Sequence, residues 1–194
     1  MKLIGTRILI VSIVWVAFSS MPLFRSKALS GNQNDSVPSG TIAFAGGPVS
    51  LGSGPARVTL EPAAESSTEQ KTLGARIGAL ARGRHIYLVV RDLRVVGQPG
   101  VLFRLYIDLP SEARPIRTDP HYVGALNFYN AAEPGRFDAN EKSPMFMSFD
   151  ITRVLRNLRA QKLLSDQTTL TIIPSGTPAL QSDPRIGRIE IVEQ

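Results

Sequence analysis

The sequence predicts a mainly antiparallel all-β domain, a sandwich or barrel of about seven or eight strands with one short amphipathic helix. Three observations carry this expectation. Two runs, VLFRLYIDLP and HYVGALNFYN, alternate apolar and polar residues with the period of two that puts one strand face in a core. Short apolar runs bounded by Gly and Pro recur along the rest of the chain. A single segment switches to helical spacing, with Ile151, Val154, Leu155 and Leu158 on one face.

The amino terminus reads as a targeting segment. Lys2 and Arg7 precede the apolar run 8–18, broken only by Ser12, and Ser19, Ser20, Ser26 and Ala28 follow as small residues. Extended to Phe24 the run reaches 17 residues, the lower bound of the roughly 17–25 that span a bilayer. Residues 1–28 are thus expected to be a signal peptide, or an amino-terminal membrane anchor through 8–24 if uncut. Either places the domain outside the cytoplasm, secreted or periplasmic. Residues 29–40 are rich in Gly, Ser, Pro and Asn and read as a flexible linker, leaving 41–194 as the β domain.

Within that domain Ile42 and Phe44 share a parity, consistent with an edge strand, and Val58 and Leu60 mark a second strand. Residues 73–82 are ambiguous between a short helix and an irregular strand, because Leu73, Ile77 and Leu80 have helical spacing while Gly74 and Gly78 each weaken a helix by about 1 kcal/mol. Ile86, Leu88 and Val90 face one way in the next strand, with Tyr87 and Val89 opposite, which suggests cover on both sides. Phe103, Leu105, Ile107 and Leu109 face inward in the run that follows, and Pro110 stops it for want of an amide donor. In the partner run Tyr122, Gly124, Leu126 and Phe128 share the inward parity. The segment 131–144 carries five charged residues and one aromatic, Phe137. After a strand over 145–149, Asp150 is expected to cap the helix, whose outer face carries Arg153, Arg156 and Arg159. Leu170 and Ile172 mark a strand ending at Pro174. Ile189 and Ile191 face inward in the last one, with Arg188 and Glu190 outward.

Composition excludes more than it identifies. The formal charge is +6, but residues 1–28 hold four of the 22 basic residues and no acid, so the remainder has 18 basic against 16 acidic residues. Nucleic acid is therefore not the expected partner, and a solvated helix face is the plainer reading of the arginine stripe. The chain has no cysteine and two histidines, His85 and His121, so no thiolate chemistry and no ready transition-metal site is in view. No G-x-S-x-G run and no Gly-rich loop after a strand is present. His121 beside Asp119 reads as a strand histidine bonded to backbone. No catalytic residue, cofactor or metal is expected.

Taken in order, the segments PVSLGSGPARVTLEP, HIYLVVRDLRV, GVLFRLYIDLP, HYVGALNFYN, FDITRVLRNL, LTIIPSGTPAL and RIGRIEIV resemble the carboxy-terminal domain of the tyrosinase and polyphenol oxidase family. Tyr106, Asp108, Leu109 and Pro110 stand in a Y-x-D-L-P strand end. His121, Gly124 and Phe128 stand in an H-Y-V-G-x-L-N-F strand, and Phe149 and Asp150 open an F-D-I-T-x-V-L helix start. In that family a helical domain with copper-binding histidines oxidises phenols, and the β domain packs over the copper pocket and keeps the enzyme latent. The resemblance covers the cap alone.

It implies a non-catalytic, exported, cap-like module that binds a separately encoded tyrosinase-like copper protein, shielding its pocket or assisting its copper loading. Shielding needs an apolar side chain that reaches the pocket mouth. Phe137 is the candidate plug, with Tyr129 next and Tyr122 assigned to the core, although a Phe137 folded back onto the sheet is the plainer reading. The rival expectation is a binding or structural module of the cell envelope without an oxidase partner. The one tryptophan, Trp15, lies in the targeting segment, so aromatic platforms for sugars are scarce.

Overall fold

The alternating runs fold as strands whose apolar parity meets in one core between two antiparallel sheets. The computed structural model describes residues 40–63, 72–113, 115–129, 131 and 145–194, all within the unit Ser36–Gln194. The expected leader, most of the linker, Asn130 and the segment 132–144 with Phe137 lie outside them. The strands are β1 (Thr41–Phe44), β2 (Val49–Ser50), β3 (Ala56–Thr59), β4 (Glu61–Pro62), β5 (Ile86–Arg94), β6 (Phe103–Ile107), β7 (Tyr122–Leu126), β8 (Phe146–Asp150), β9 (Thr169–Pro174) and β10 (Arg185–Glu193). Two helices, α1 (Leu73–Ala79) and α2 (Thr152–Ala160), complete the order.

One sheet runs β4-β1-β10-β5-β8, with β2 also paired to β10; the other runs β3-β9-β6-β7. The sheets stay separate, so the sandwich is the correct form and the barrel is not. Ile86, Leu88, Val90, Ile189 and Ile191 from the first sheet meet Phe103, Leu105, Ile107, Leu170 and Ile172 from the second, and all of these are fully buried. Burying each such side chain contributes about 1.5–3 kcal/mol. Phe103 and Phe128 add an edge-to-face contact with centroids 5.5 Å apart.

Four details differ from the sequence reading or settle what it left open. β1 is not an edge, because the two-residue β4 pairs its outer side. Residues 73–79 do form a helix, which Thr72 settles by capping: its Oγ1 accepts from the Ala75 amide at 3.2 Å. Gly78, unfavourable for that helix alone, makes room for a neighbour, since a Cβ there would stand 2.7 Å from the Arg159 guanidinium of α2. The cap residue of α2 is Ile151 rather than Asp150. Asp150 acts from one residue earlier, where Oδ1 accepts from the Thr152 amide at 2.9 Å.

The fourth difference is Tyr122. Leu105 pairs with Gly124 but Tyr106 pairs with Tyr122, so one extra residue is accommodated in β7 and the register slips. Such a bulge reverses parity for everything before it. Val123 packs toward the core, and Tyr122 turns to the outer face, its ring 5.5 Å from that of Tyr106.

Candidate functional site

The carboxyl end of β5 and the amino ends of β6 and β10 lie at the same end of the sandwich, so the loops joining them converge there. Backbone bonds tie these loops together: Val96 N donates to Ser182 O at 2.9 Å, Ala179 N to Pro99 O at 2.9 Å, and Ser175 N to Leu102 O at 2.8 Å. Gln98 Nε2 donates to Phe128 O at 3.1 Å, which brings in the chain leaving β7. With the backbone satisfied in this way, apolar side chains are left facing water. Tyr129 is 74% exposed and Leu180 95%, with Val96 and Leu102 about half exposed. Four large apolar groups on one loop-built end mark a contact surface more than scattered ones would. Tyr129 was legible as a candidate. The other three were not, since Val96 and Leu102 lie at opposite ends of the loop from β5 to β6, Leu180 lies in the loop from β9 to β10, and the cross-loop bonds bring these loops together.

The residues of the family motifs, by contrast, build the frame. Asp108 leaves β6 with φ of +50° and is buried. Its Oδ2 accepts from Ser165 N at 2.9 Å and its Oδ1 from Thr169 N at 2.8 Å, which pins the loop between α2 and β9. Burial raises its pKa above the ordinary value, with the two amides and nearby His121 opposing. The His121 ring, in the turn just before β7, is buried and bonded to backbone, with Nδ1 2.7 Å from Ile107 O, and its amide donates to Asp119 Oδ1 at 2.9 Å. Leu109 is buried while Pro110 is exposed. Gly124 lies under the Phe149 ring, and Phe128 is in the core.

At the other end of the sandwich Asp150 joins the starts of β5 and α2. Its Oδ2 is 2.8 Å from His85 Nδ1, and the Thr152 hydroxyl in turn accepts from Ile86 N at 2.8 Å. Burial pushes the Asp150 carboxyl upward, but the bonds from Thr152 and His85 win and hold it below its ordinary value. Arg153, Arg156 and Arg159 are all exposed on α2. Arg156 and Arg159 border a shallow recess with Ile77 and Ala160.

On β10, Glu190 faces outward as its parity requires, yet it is fully buried because the arginine stems cover it. Arg188 Nε lies 2.8 Å from Oε1 and Arg91 Nε 3.3 Å from Oε2. The approach of Arg188 is a charge contact without hydrogen-bond alignment, so Oε1 has no directed donor. Among the described residues no group of three or more His, Asp or Glu side chains is placed to hold a metal. Among them, too, no helix is long and apolar enough to cross a membrane.

A family described as a domain of unknown function, DUF7868, matches residues 42–194. Among solved structures, latent apple tyrosinase is similar over 75% of this chain and 27% of that one, at 15% identity and a TM-score of 0.47. Latent aurone synthase, a polyphenol oxidase, from natural source is similar over 75% of this chain and 25% of that one, at 18% identity and a TM-score of 0.43. The chain thus spans about a quarter of the length of the structures it matches. No curated protein matches the sequence.

Proposed function

The chain belongs to the DUF7868 family, and from that premise we propose that its β domain is a non-catalytic, extracytoplasmic cap that docks on a tyrosinase-like copper oxidase carried by another chain. The observation that carries this reading is the apolar end formed by Val96, Leu102, Tyr129 and Leu180. The succession of sequence motifs supports the choice of partner class. In sequence, Tyr129 immediately precedes the segment 130–144 that contains Phe137.

Docking would bury these groups against the rim of the oxidase pocket, with aromatic side chains as anchors. A free domain lacks the high effective concentration that tethering gives, so affinity must come from this surface. The full chain, incubated with exported proteins of its source and recovered, tests the reading. Co-recovery of a copper oxidase, lost with Tyr129→Ser/Leu180→Ser, supports it. Recovery without any oxidase, under conditions where the oxidase is present, counts against it and favours an envelope module.

A further inference from the structure

The connection from β6 to β7 leaves the sheet at Asp108 and returns across the outer face of β3-β9-β6-β7. Between the connection and the sheet lies an open cavity of about 590 Å³, within the range of about 300–1,000 Å³ typical of small-molecule sites. Three prolines, Pro55, Pro110 and Pro115, line it together with Leu109, Ile116 and Ile173. Among the described residues its polar lining groups are Arg57, Thr171 and Ser111. Arg57 on β3 and Thr171 on β9 both line it, and they are direct cross-strand partners. Directly opposite residues on one face have Cβ atoms about 4.5–5.5 Å apart, which one carboxylate can bridge.

Thr171 is 3% exposed, and its Oγ1 has no hydrogen-bond partner. A buried hydroxyl left without a partner costs folding free energy unless something else supplies the bond. Arg57 is held at the rim, donating to Leu109 O at 2.8 Å. Its contact to Ser111 Oγ is long, at 3.5 Å. No carboxylate among the described residues pairs with it. Among the described residues, then, a cation without a counter-ion stands beside a buried hydroxyl without a partner, at the edge of an apolar cleft.

We propose that this cleft binds a small aromatic carboxylate, its ring between the proline walls and its carboxylate shared by the Arg57 guanidinium and the Thr171 hydroxyl. Guanidinium and carboxylate form strong, charge-assisted bonds. Proline rings offer flat C–H surfaces to the negative face of an aromatic ring. The site lies on the outer face of the sheet and needs no oxidase partner.

Calorimetric titration of the full chain with trans-cinnamate tests it, beside neutral cinnamamide and saturated cyclohexanecarboxylate. The expected result is one site for cinnamate, with cinnamamide weaker by about tenfold or more for loss of the charge. Arg57→Gln should weaken cinnamate by a similar factor. Thr171→Val should weaken it several-fold without lowering the melting temperature of the free chain, because it removes an unpaired hydroxyl and keeps the shape. That pairing of lost affinity with unchanged stability separates a ligand role from a structural one. No binding of cinnamate at millimolar concentration, equal binding of cinnamamide, or wild-type affinity in both variants would overturn the site. Equal binding of cyclohexanecarboxylate would overturn the aromatic class.

Discussion

The ring of Phe149 on β8 lies directly against Gly124 on β7, so close that a Cβ at position 124 would stand 2.8 Å from the ring. β7 and β8 are the end strands of their respective sheets, and this contact closes that side of the sandwich. Only the absence of a side chain at 124 lets the sheets approach. Gly124→Ala should therefore cost about 1–3 kcal/mol by overpacking. Thermal unfolding of Gly124→Ala, Phe149→Leu and the double variant checks this. Phe149→Leu should recover part of the loss, and strict additivity would count against the contact.

Asp108 holds two amides of a loop some sixty residues downstream. Asp108→Ala should cost about 2 kcal/mol or more, since it strands Ser165 N and Thr169 N in a partly buried site. Asp108→Asn keeps one acceptor and should cost less. The pKa of Asp108 is raised by burial, so the folded state holds the proton more firmly than the unfolded chain does. Its contribution to stability is then greatest below the ordinary carboxylate value and declines as pH rises toward the raised one. Melting temperatures measured from pH 3 to 7 should show that decline in the wild type and lack it in Asp108→Asn.

Asp150 runs the opposite way. Its folded pKa lies below the ordinary value of 3.8, so its contribution is fully present above that value and is lost as pH falls through the lowered one. The group is 44% exposed, and solvent screening limits an exposed pair to about 0.2–1 kcal/mol. Asp150→Asn should lower stability at pH 7 by about that much, and the difference from wild type should vanish under strongly acid conditions. A difference that persists unchanged there would contradict the charge account.

The fold was legible wherever alternation was uninterrupted. β5, β6, β9 and β10 stand where their parity put them, because a strand with one buried face has its register fixed by that face. Tyr122 was not legible, since a bulge leaves no local mark in HYVGAL and becomes visible only against the Leu105–Tyr106 pairing. Nor was the burial of Glu190, which depends on Arg91 almost a hundred residues away. The helix over 73–79 was undecided because two glycines argued against it, and the reason for Gly78 sits on another helix. The apolar end and the proline-lined cleft were illegible for one shared reason. Each is assembled from separate loops or from outward-facing residues of neighbouring strands, a juxtaposition that spacing along one strand does not reveal.

The docking surface makes its own prediction about stability. Tyr129 and Leu180 bury little in the free chain, so Tyr129→Ser and Leu180→Ser should each change stability by no more than about 0.5 kcal/mol, as surface substitutions do. Denaturant titration of the two variants against wild type checks this, and a loss several times larger would mean that the side chains serve the fold rather than a partner.

The cap reading is tested most directly by the rate of phenol oxidation by a tyrosinase-like copper oxidase of the same source as increasing amounts of the full chain are added. A saturable fall in rate is expected with the wild type, and at least about a tenfold weaker effect with Tyr129→Ser/Leu180→Ser. An oxidation rate that is unchanged at saturating wild-type protein, or lowered equally by the variant, would contradict it.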